Sequence, residues 1–381
     1  MTDKSVVAEG NCQRVGLPES EIKYVSDKKL VLIEHLADHG KALARVIELL
    51  TSGDTKIIDS MAEIGAVGHR VSMGGADYRQ STLVSEAVLE AVESLASITP
   101  LHNPPQAKCI RKCQEIFGKD FPMAIGFDTA FHHSMPEKVY TYAIPYKLAE
   151  EHGVRRYGFH GLSYQYVVER YDEITKGKAQ KEKMVVCHLG GGCSATAVKY
   201  GQSIDNTFGF GTGEGLVSGS RVGSFDHVAI GHIMAKTGMS YDELEVLLHR
   251  DSGILGISGI SSDEKELEDA AAAGADRAQL ALDVMAHNIT KTIGAYTFEM
   301  GGLDTIIFTG GIGENSDIMR EMICCGLEGV GIVLDKQANM EHNRTEHEIS
   351  DESSSVKIWI IPTNEELVIA QDTYKLVSAK K

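Results

Sequence analysis

Long apolar runs are missing from this 381-residue chain: no stretch of about 18 apolar residues occurs, so no membrane-spanning helix is expected. The opening residues, MTDKSVVAEGNCQRVG, lack the basic and apolar regions of a secretory signal. CxxC pairs are also lacking. The seven cysteines show no framework spacing, with Cys109 and Cys113 four apart and Cys324 and Cys325 adjacent. That pattern points to reduced thiols in a cytoplasmic protein and away from a zinc site. Basic charge is scarce: 37 Lys and Arg against 54 Asp and Glu leave a net charge of −17. Such a surface argues against a general affinity for nucleic acid or anionic membrane. An acidic chain can still take an anionic metabolite if Arg, His and backbone N–H groups gather in one cleft.

What is present reads as an ordinary globular protein, 43% hydrophobic, without short repeats or low-complexity linkers. Its length suits two domains of about 100–200 residues each. SVVAEGNCQRVG reads as a short strand and a turn, and residues 29–50 have helical periodicity. IGAVGHRVSMGG (64–75) is a buried strand entering a glycine-rich loop, followed by helical patterns near 82–97 and 104–117. PMAIGFDTAFH (122–132) is a second buried strand, ending on Asp128. Residues 266–302 are mostly helical. DTIIFTGGIGENSDIMREMI gives a strand, a glycine turn and a helix starting near Asn315 or Ser316, and VKIWIIPTNEELVIAQDTYKLV repeats that plan. Strands alternating with helices favour an α/β architecture.

One stretch breaks the strand-to-helix rule. In MVVCHLGGGCSATAV, three glycines separate two runs that both favour strands. A Walker-type or Rossmann loop would lead into a helix. Here Gly190, Gly191 and Gly192 fall at a hairpin tip, where backbone N–H groups can approach an anion closely. A plain hairpin turn without a ligand fits the same residues.

Taken together, GHRVSMGG, PLHNPP, FDTAFHHSMP, RRYGFHGLSYQYV, HLGGGCSATAV, SGILGISGISSD, FTGGIGENS and IPTNEE occur in the order found in acetate and propionate kinases. The chain resembles that family, part of the actin, Hsp70 and sugar-kinase superfamily, from about residue 60 onward. The resemblance implies two related α/β domains of the ribonuclease H-like type, each with a mixed five-stranded sheet. Residues 1–130 plus 366–381 would form the acyl-kinase domain and 131–365 the nucleotide-binding domain. It also implies phosphate loops at hairpin tips, a homodimer, and reversible transfer of the γ-phosphoryl of ATP to a short carboxylate.

The implied roles follow residue by residue. Arg70 and Arg221 match the family's active-site arginines, whose guanidinium forks grip carboxylate and phosphoryl oxygens. Asp128 matches the catalytic aspartate and His160 the histidine donating to the phosphoryl group in flight. Glu365 matches the carboxylate associated with Mg²⁺, or with Mn²⁺ in its place, since a hard cation bridging phosphates takes oxygen ligands. His188, Gly190, Gly191, Gly192, Asp263, Gly311, Ile312 and Asn315 match the nucleotide site for ATP and ADP. His188 and His102 read equally well as core histidines.

Four departures from the family pattern stand out. The family's opening strand and Asn-x-Gly-Ser-Ser-Ser-x-Lys loop have no counterpart, so a start upstream or a truncation is expected, with weak activity in the chain as it stands. Gly191 and Cys193 replace Asn and Ser in the hairpin loop, and Asp263, Glu264 and Lys265 replace Asp-Phe-Arg. In the acyl pocket Leu101 and Phe159 are retained. Ser72 replaces Val there, Thr212 replaces Pro, and nearby Met73 replaces His. These changes leave three readings open: acetate kinase, a kinase for a larger or more polar propionate-like acid, and a catalytically impaired nucleotide-binding paralogue.

Overall fold

A computed structural model describes residues 4–100, 102–341 and 345–379. It divides into two compact units, one of Met1–Val71, Ser81–Gly126 and Glu366–Lys381, the other of Ser72–Gln80 and Phe127–Glu365. The stretches 72–80 and 127–130 therefore group with the second unit, where a boundary at residue 130 leaves them in the first. The Gly74 amide donates to Thr129 Oγ1 at 3.1 Å, and Tyr78 stacks on Phe127 with ring centres 5.2 Å apart, which ties the two stretches together.

In the first unit, β1 (Glu9–Gln13), β2 (Ser20–Val25) and β3 (Lys29–Glu34) form an antiparallel meander. Every second residue of β2 is buried, Ser20, Ile22 and Tyr24, as the two-residue period of a strand demands. The helix His39–Thr51 adds Ala42 and Leu49 to that core. The helical spacing expected over 29–50 thus holds only from His39. Residues 29–34 alternate between exposed and half-buried and pair with β2, so Leu30 and Leu32 reach the core as strand residues. A second sheet holds β4 (Val67–Val71), β5 (Thr82–Leu83) and β6 (Met123–Phe127), in the order β4-β6-β5. A Cβ on Gly68 would stand 2.5 Å from Ile369 Cγ2, so glycine is what lets β4 approach the last helix, Glu365–Ser378.

The second unit is built on one sheet. Its strands are β7 (Lys183–Leu189), β8 (Cys193–Lys199), β9 (Gln202–Asn206), β10 (Thr305–Thr309), β11 (His347–Glu348) and β12 (Lys357–Ile360), in the order β11-β12-β10-β7-β8-β9. β10 runs parallel to β7 and β12, while the β7–β8, β8–β9 and β11–β12 pairs are antiparallel. Side chains alternate between two cores. Val185, Cys187, Leu189, Ile306 and Phe308 meet the helix Asp276–Met300 on one face. Met184, Val186 and Ile307 meet Tyr164, Val167, Val168 and Tyr171 of the helix Gly161–Thr175 on the other. Burial on both faces explains why these strands read as continuous apolar runs.

The mixed character of this sheet agrees with the expected fold, but its strand count does not. Six strands are present, the additional one being the two-residue edge strand β11. In the first unit two separate three-stranded sheets stand in place of one of five, because β1–β3 pair only among themselves among the described residues.

The glycine turn after β10 is itself helical, Gly310–Asn315, and a second helix, Asp317–Cys324, is capped by Ser316. Arg320 fixes the pair from inside. Fully buried, it donates to Asn339 Oδ1 and to the Asn339 carbonyl at 2.7 Å each, and to the Gly313 carbonyl at 2.9 Å. Arg320→Met should lower stability by about 3 kcal/mol in urea unfolding, because three acceptors lose their donor in the interior.

Candidate active site

The hairpin of β7 and β8 keeps full antiparallel register up to Leu189 opposite Cys193, leaving Gly190–Gly192 as the tip. Cys193 closes it: its amide donates to Ser218 Oγ at 2.9 Å and its thiol to the Gly190 carbonyl at 3.2 Å. The thiol is thereby held inside the turn, away from solvent. A Cβ on Gly192 would fall 2.2 Å from Arg221 Nη2 and 3.6 Å from His160 Cε1. Guanidinium and imidazole thus converge on bare backbone.

Arg221 donates from Nη1 to the Thr212 carbonyl at 3.2 Å, and its guanidinium carbon lies 5.5 Å from the centre of the Phe208 ring. Among the described residues it has no carboxylate partner, and burial pulls its pKa below the ordinary value. An arginine stays charged under such burial, so the arrangement favours an anion beside it. The loop that supplies Thr212 is pinned by Arg156. That side chain donates to the carbonyls of Asn206, Thr207 and Phe208 at 2.8, 3.2 and 3.0 Å and pairs with Glu214 at 2.6 Å.

His160 holds a left-handed backbone, φ 58°, at the start of the helix Gly161–Thr175. The next residue must be glycine: the Gly161 amide donates to the Asp128 carbonyl at 2.7 Å, and a Cβ there would lie 2.1 Å from that oxygen. The end of β6 is thereby locked to the histidine. Asp128 is only 2% exposed, and its carboxylate is costly there without partners. The His160 ring lies 4.2 Å from that of His188 and 5.2 Å from that of Phe208, while His188 Nδ1 meets Ser163 Oγ at 2.8 Å. Phe159 is buried with its ring edge-on to Phe208, and His132 Nε2 donates to its carbonyl at 2.9 Å. Burial holds that His132 imidazole down at about 4, hence neutral.

A cavity of about 430 Å³ gathers Gly190, Gly191, Asp263, Gly311, Ile312 and Asn315, six of the expected nucleotide residues. Gly192 and His188 are not among its lining residues. Asp263 caps the helix Glu264–Ala272 through the Lys265 amide, and Asn315 Nδ2 donates to the Gly311 carbonyl. Glu264 and Glu268, 5% and 6% exposed, turn from the cavity wall onto Ser316 Oγ, at 3.0 and 2.5 Å. Ser316 Oγ also accepts the Met319 amide, so its single proton cannot serve both carboxylates, and one of them must carry a proton. Burial and the neighbouring Glu268 accordingly push Glu264 up to about 8. Lys265 is committed to Glu268 and Asp269, at 3.0 and 3.3 Å.

The remaining expected residues are spread more widely. Arg70 is an exposed residue on β4 in the first unit, beside buried His69, whose imidazole is pulled down to about 4 by burial. His102 is the residue before the helix Asn103–Phe117, Leu101 lies outside the described residues, and Ser72 is buried in the second unit. Glu365 opens the last helix. The segment before it is tied to the glycine turn by Glu314, which accepts the Gly310 amide at 2.9 Å and the Thr363 amide at 3.1 Å. Among the described residues no three His, Cys, Asp or Glu cluster as a metal cage. Mg²⁺ does not require one, since it takes one or two carboxylates with waters and phosphate oxygens.

Residues 1–371 match the model of the acetokinase family. The chain belongs to that family. An acetate kinase of Methanosarcina mazei is 44% identical over 378 residues, 99% of this chain and 92% of that protein. The solved acetate kinase of Porphyromonas gingivalis has a TM-score of 0.92 at 38% identity, covering 98% of this chain and 94% of that one. A propionate kinase from Francisella tularensis follows at 0.91 and 35%, with the same coverage. The acidic pair of Glu264 and Glu268 predicts a measurable pH effect on stability. The folded pKa of Glu264 lies above its ordinary 4.5, so its stabilising proton is fully held below about pH 4.5 and lost as pH rises through 8. Glu264→Gln should therefore raise the melting temperature at pH 9 and change it little at pH 5, as scanning calorimetry would show.

Proposed function

We propose that the chain is an ATP-dependent carboxylate kinase whose acceptor is acetate, working reversibly to give acetyl phosphate and ADP. The observation that carries this reading is Arg221: a half-buried guanidinium without a carboxylate among the described residues, set against the backbone of Gly192 and beside His160. The acceptor oxygen attacks the γ-phosphorus while the bond to the β–γ bridging oxygen breaks, and ADP leaves with that oxygen. The nucleophile is already an anion, so no base is needed, and catalysis rests on alignment and charge neutralisation.

In this reading the tip amides and Gly190–Gly192 hold the phosphates, and the cavity of Asp263, Gly311, Ile312 and Asn315 takes the adenosine. Arg221 faces the charge developing on the transferred group. His160 donates to it, and Arg70 is assigned to the acceptor carboxylate. Asp128 and Glu365 would hold Mg²⁺, which when bound neutralises β- and γ-phosphate charge. A hydroxamate assay with ATP, Mg²⁺ and a panel of short acids tests the reading. Acyl phosphate should form with the intact chain, and Arg70→Ala and Arg221→Ala should each cut turnover by ~10²–10³. Near-normal turnover in either variant removes its assignment.

A second acceptor is favoured by Ser72, only 4% exposed where an apolar residue suits a methyl group. A longer or hydroxylated acid, propionate among them, should be used at a rate closer to that of acetate than an all-apolar pocket would allow. Ser72→Val should sharpen the preference for acetate by up to ~10-fold, a change of about 1.4 kcal/mol within the range for a buried hydroxyl. Equal preferences before and after the change would count against this.

The reading also includes a homodimer in the cytoplasm. No helix among the described residues is long and apolar enough to cross a membrane, and the seven cysteines are unpaired. The helix His227–Thr237 buries none of its residues although it carries Val228, Ile230, Ile233 and Met234, with Val228 66% exposed. An apolar helix left so open supports a second copy as its cover. Sedimentation equilibrium should give twice the chain mass, and Val228→Glu should shift it toward the monomer.

A further inference from the structure

We propose that Ser218 is a positioning residue for phosphoryl transfer, its buried hydroxyl fixing the Gly190–Gly192 tip against the turn that carries Arg221. The consequence rests on the kinase reading; the geometry does not. The Cys193 amide donates to Ser218 Oγ at 2.9 Å, and the Ser218 amide donates to the Arg221 carbonyl at 3.1 Å. An amide proton can only be given, so the hydroxyl oxygen accepts it whichever way its own proton turns. Ser218 and Cys193 are both fully buried, which keeps water from replacing the contact between them.

The tip needs such an anchor. Glycine has more backbone freedom than any other residue, so three in succession do not by themselves hold one set of N–H directions. The turn of residues 218–221 is, by contrast, fixed from its other side. The carbonyls of Ser218, Gly219 and Ser220 accept the amides of Ile254, Leu255 and Ser252, at 3.0 Å each. Gly253 allows that approach: its backbone is left-handed, φ 61°, and a Cβ there would stand 2.2 Å from the Ser218 carbonyl oxygen. Ser218 passes the rigidity of this turn on to the tip.

Both ends of the link reach the groups that face an anion. At one end the Cys193 thiol, kept protonated by burial that pushes it up to about 11, donates to the Gly190 carbonyl at 3.2 Å. That carbonyl is thereby held on a buried partner, where its partial negative charge does not oppose a phosphate. At the other end Arg221 Nη2 stands 2.2 Å from the position a Cβ would take on Gly192. A Cβ on Gly219 would lie 3.4 Å from the Gly191 oxygen and 2.7 Å from that of Ser262, a residue lining the nucleotide cavity. The turn therefore runs against the tip and the cavity wall together. Ser218 joins the bare backbone to the guanidinium while remaining, itself, out of reach of substrate.

Amide hydrogen exchange on the ligand-free full-length protein, with steady-state kinetics beside it, tests the proposal. Ser218→Ala should speed exchange of the amides of residues 190–193 by ~10-fold, the scale of one lost hydrogen bond. Exchange in the helix Asp276–Met300 should stay as it is. The same change should raise KM for ATP by ~10-fold and lower kcat by ~10-fold, with KM for acetate altered less than threefold. A merely structural loss would lower the melting temperature or the active fraction and leave both KM values alone. Ser218→Cys, which keeps a weaker acceptor, should move every readout the same way by less. Unchanged exchange at the tip of a folded Ser218→Ala protein overturns the link, and unchanged kcat and KM for ATP overturn its role. If Ser218→Ala fails to fold, Ser218→Cys decides by the same readouts. Exchange is read without turnover, so the link can fail while acyl phosphate still forms, and the hydroxamate assay can fail while the link stands.

Discussion

A positive charge is held half-buried in the second unit with no negative one to meet it among the described residues, and the surroundings are arranged to tolerate this. Arg221 has a carbonyl, an aromatic face and a glycine for neighbours. Each is a weak partner for a guanidinium, so the group remains under-satisfied until an anion arrives. Gly192 gives the room, Thr212 the carbonyl and Phe208 the ring face. Arg156 then holds the backbone of residues 206–208 and, through Glu214, the far end of that loop. The net charge of −17 belongs to the chain as a whole; the anion-binding character is local to this constellation.

The same economy of side chains recurs where elements meet. Gly161 lets the start of a helix touch the Asp128 carbonyl, and Gly68 lets β4 touch the last helix. In both places a backbone contact fixes where a polar side chain starts: Asp128 and His160 in one case, the strand bearing Arg70 in the other. In the second unit the sheet that carries the glycine tip has both of its faces filled. β7, at its centre, contributes alternately to both hydrophobic cores, and its C-terminal end delivers the glycine tip.

How much of this could be read from the residues depends on how local the signal was. The β7–β8 hairpin is a local pattern, two β-favouring runs around three glycines, and the structure puts those glycines at its tip as expected. The helices from 264 onward and the strands at 305 and 357 are likewise set by periodicity. Residues 29–34 misled because Leu30 and Ile33, three apart, and Leu32 and Leu36, four apart, also fit helical spacing, and pairing with β2 decides between the two. The split of the first unit into two sheets depends on long-range pairing, which no window of sequence contains. The site divides in the same way. Motif residues Gly190, Asp263, Gly311 and Asn315 line one cavity. Arg156 lies inside a motif that gave it no role and Glu214 lies outside every motif, and the pair that pins the loop spans 58 residues. Glu264 reads in sequence as an acid intruding on the adenosine segment. Its partner Ser316, 52 residues on, shows instead a carboxyl pair sharing a proton.

The central claim is that Arg221, seated against bare backbone at Gly192, supplies the charge on which phosphoryl transfer depends. The most direct measurement is the turnover of Gly192→Ala with acetate and Mg-ATP, taken with its melting temperature. No left-handed backbone is required at Gly192, so alanine fits the chain, but its methyl would stand 2.2 Å from Arg221 Nη2 and displace the guanidinium. The account predicts a loss of ~10² in kcat with the fold retained, the cost of moving one charge-stabilising donor. Wild-type turnover in a folded Gly192→Ala protein would contradict it.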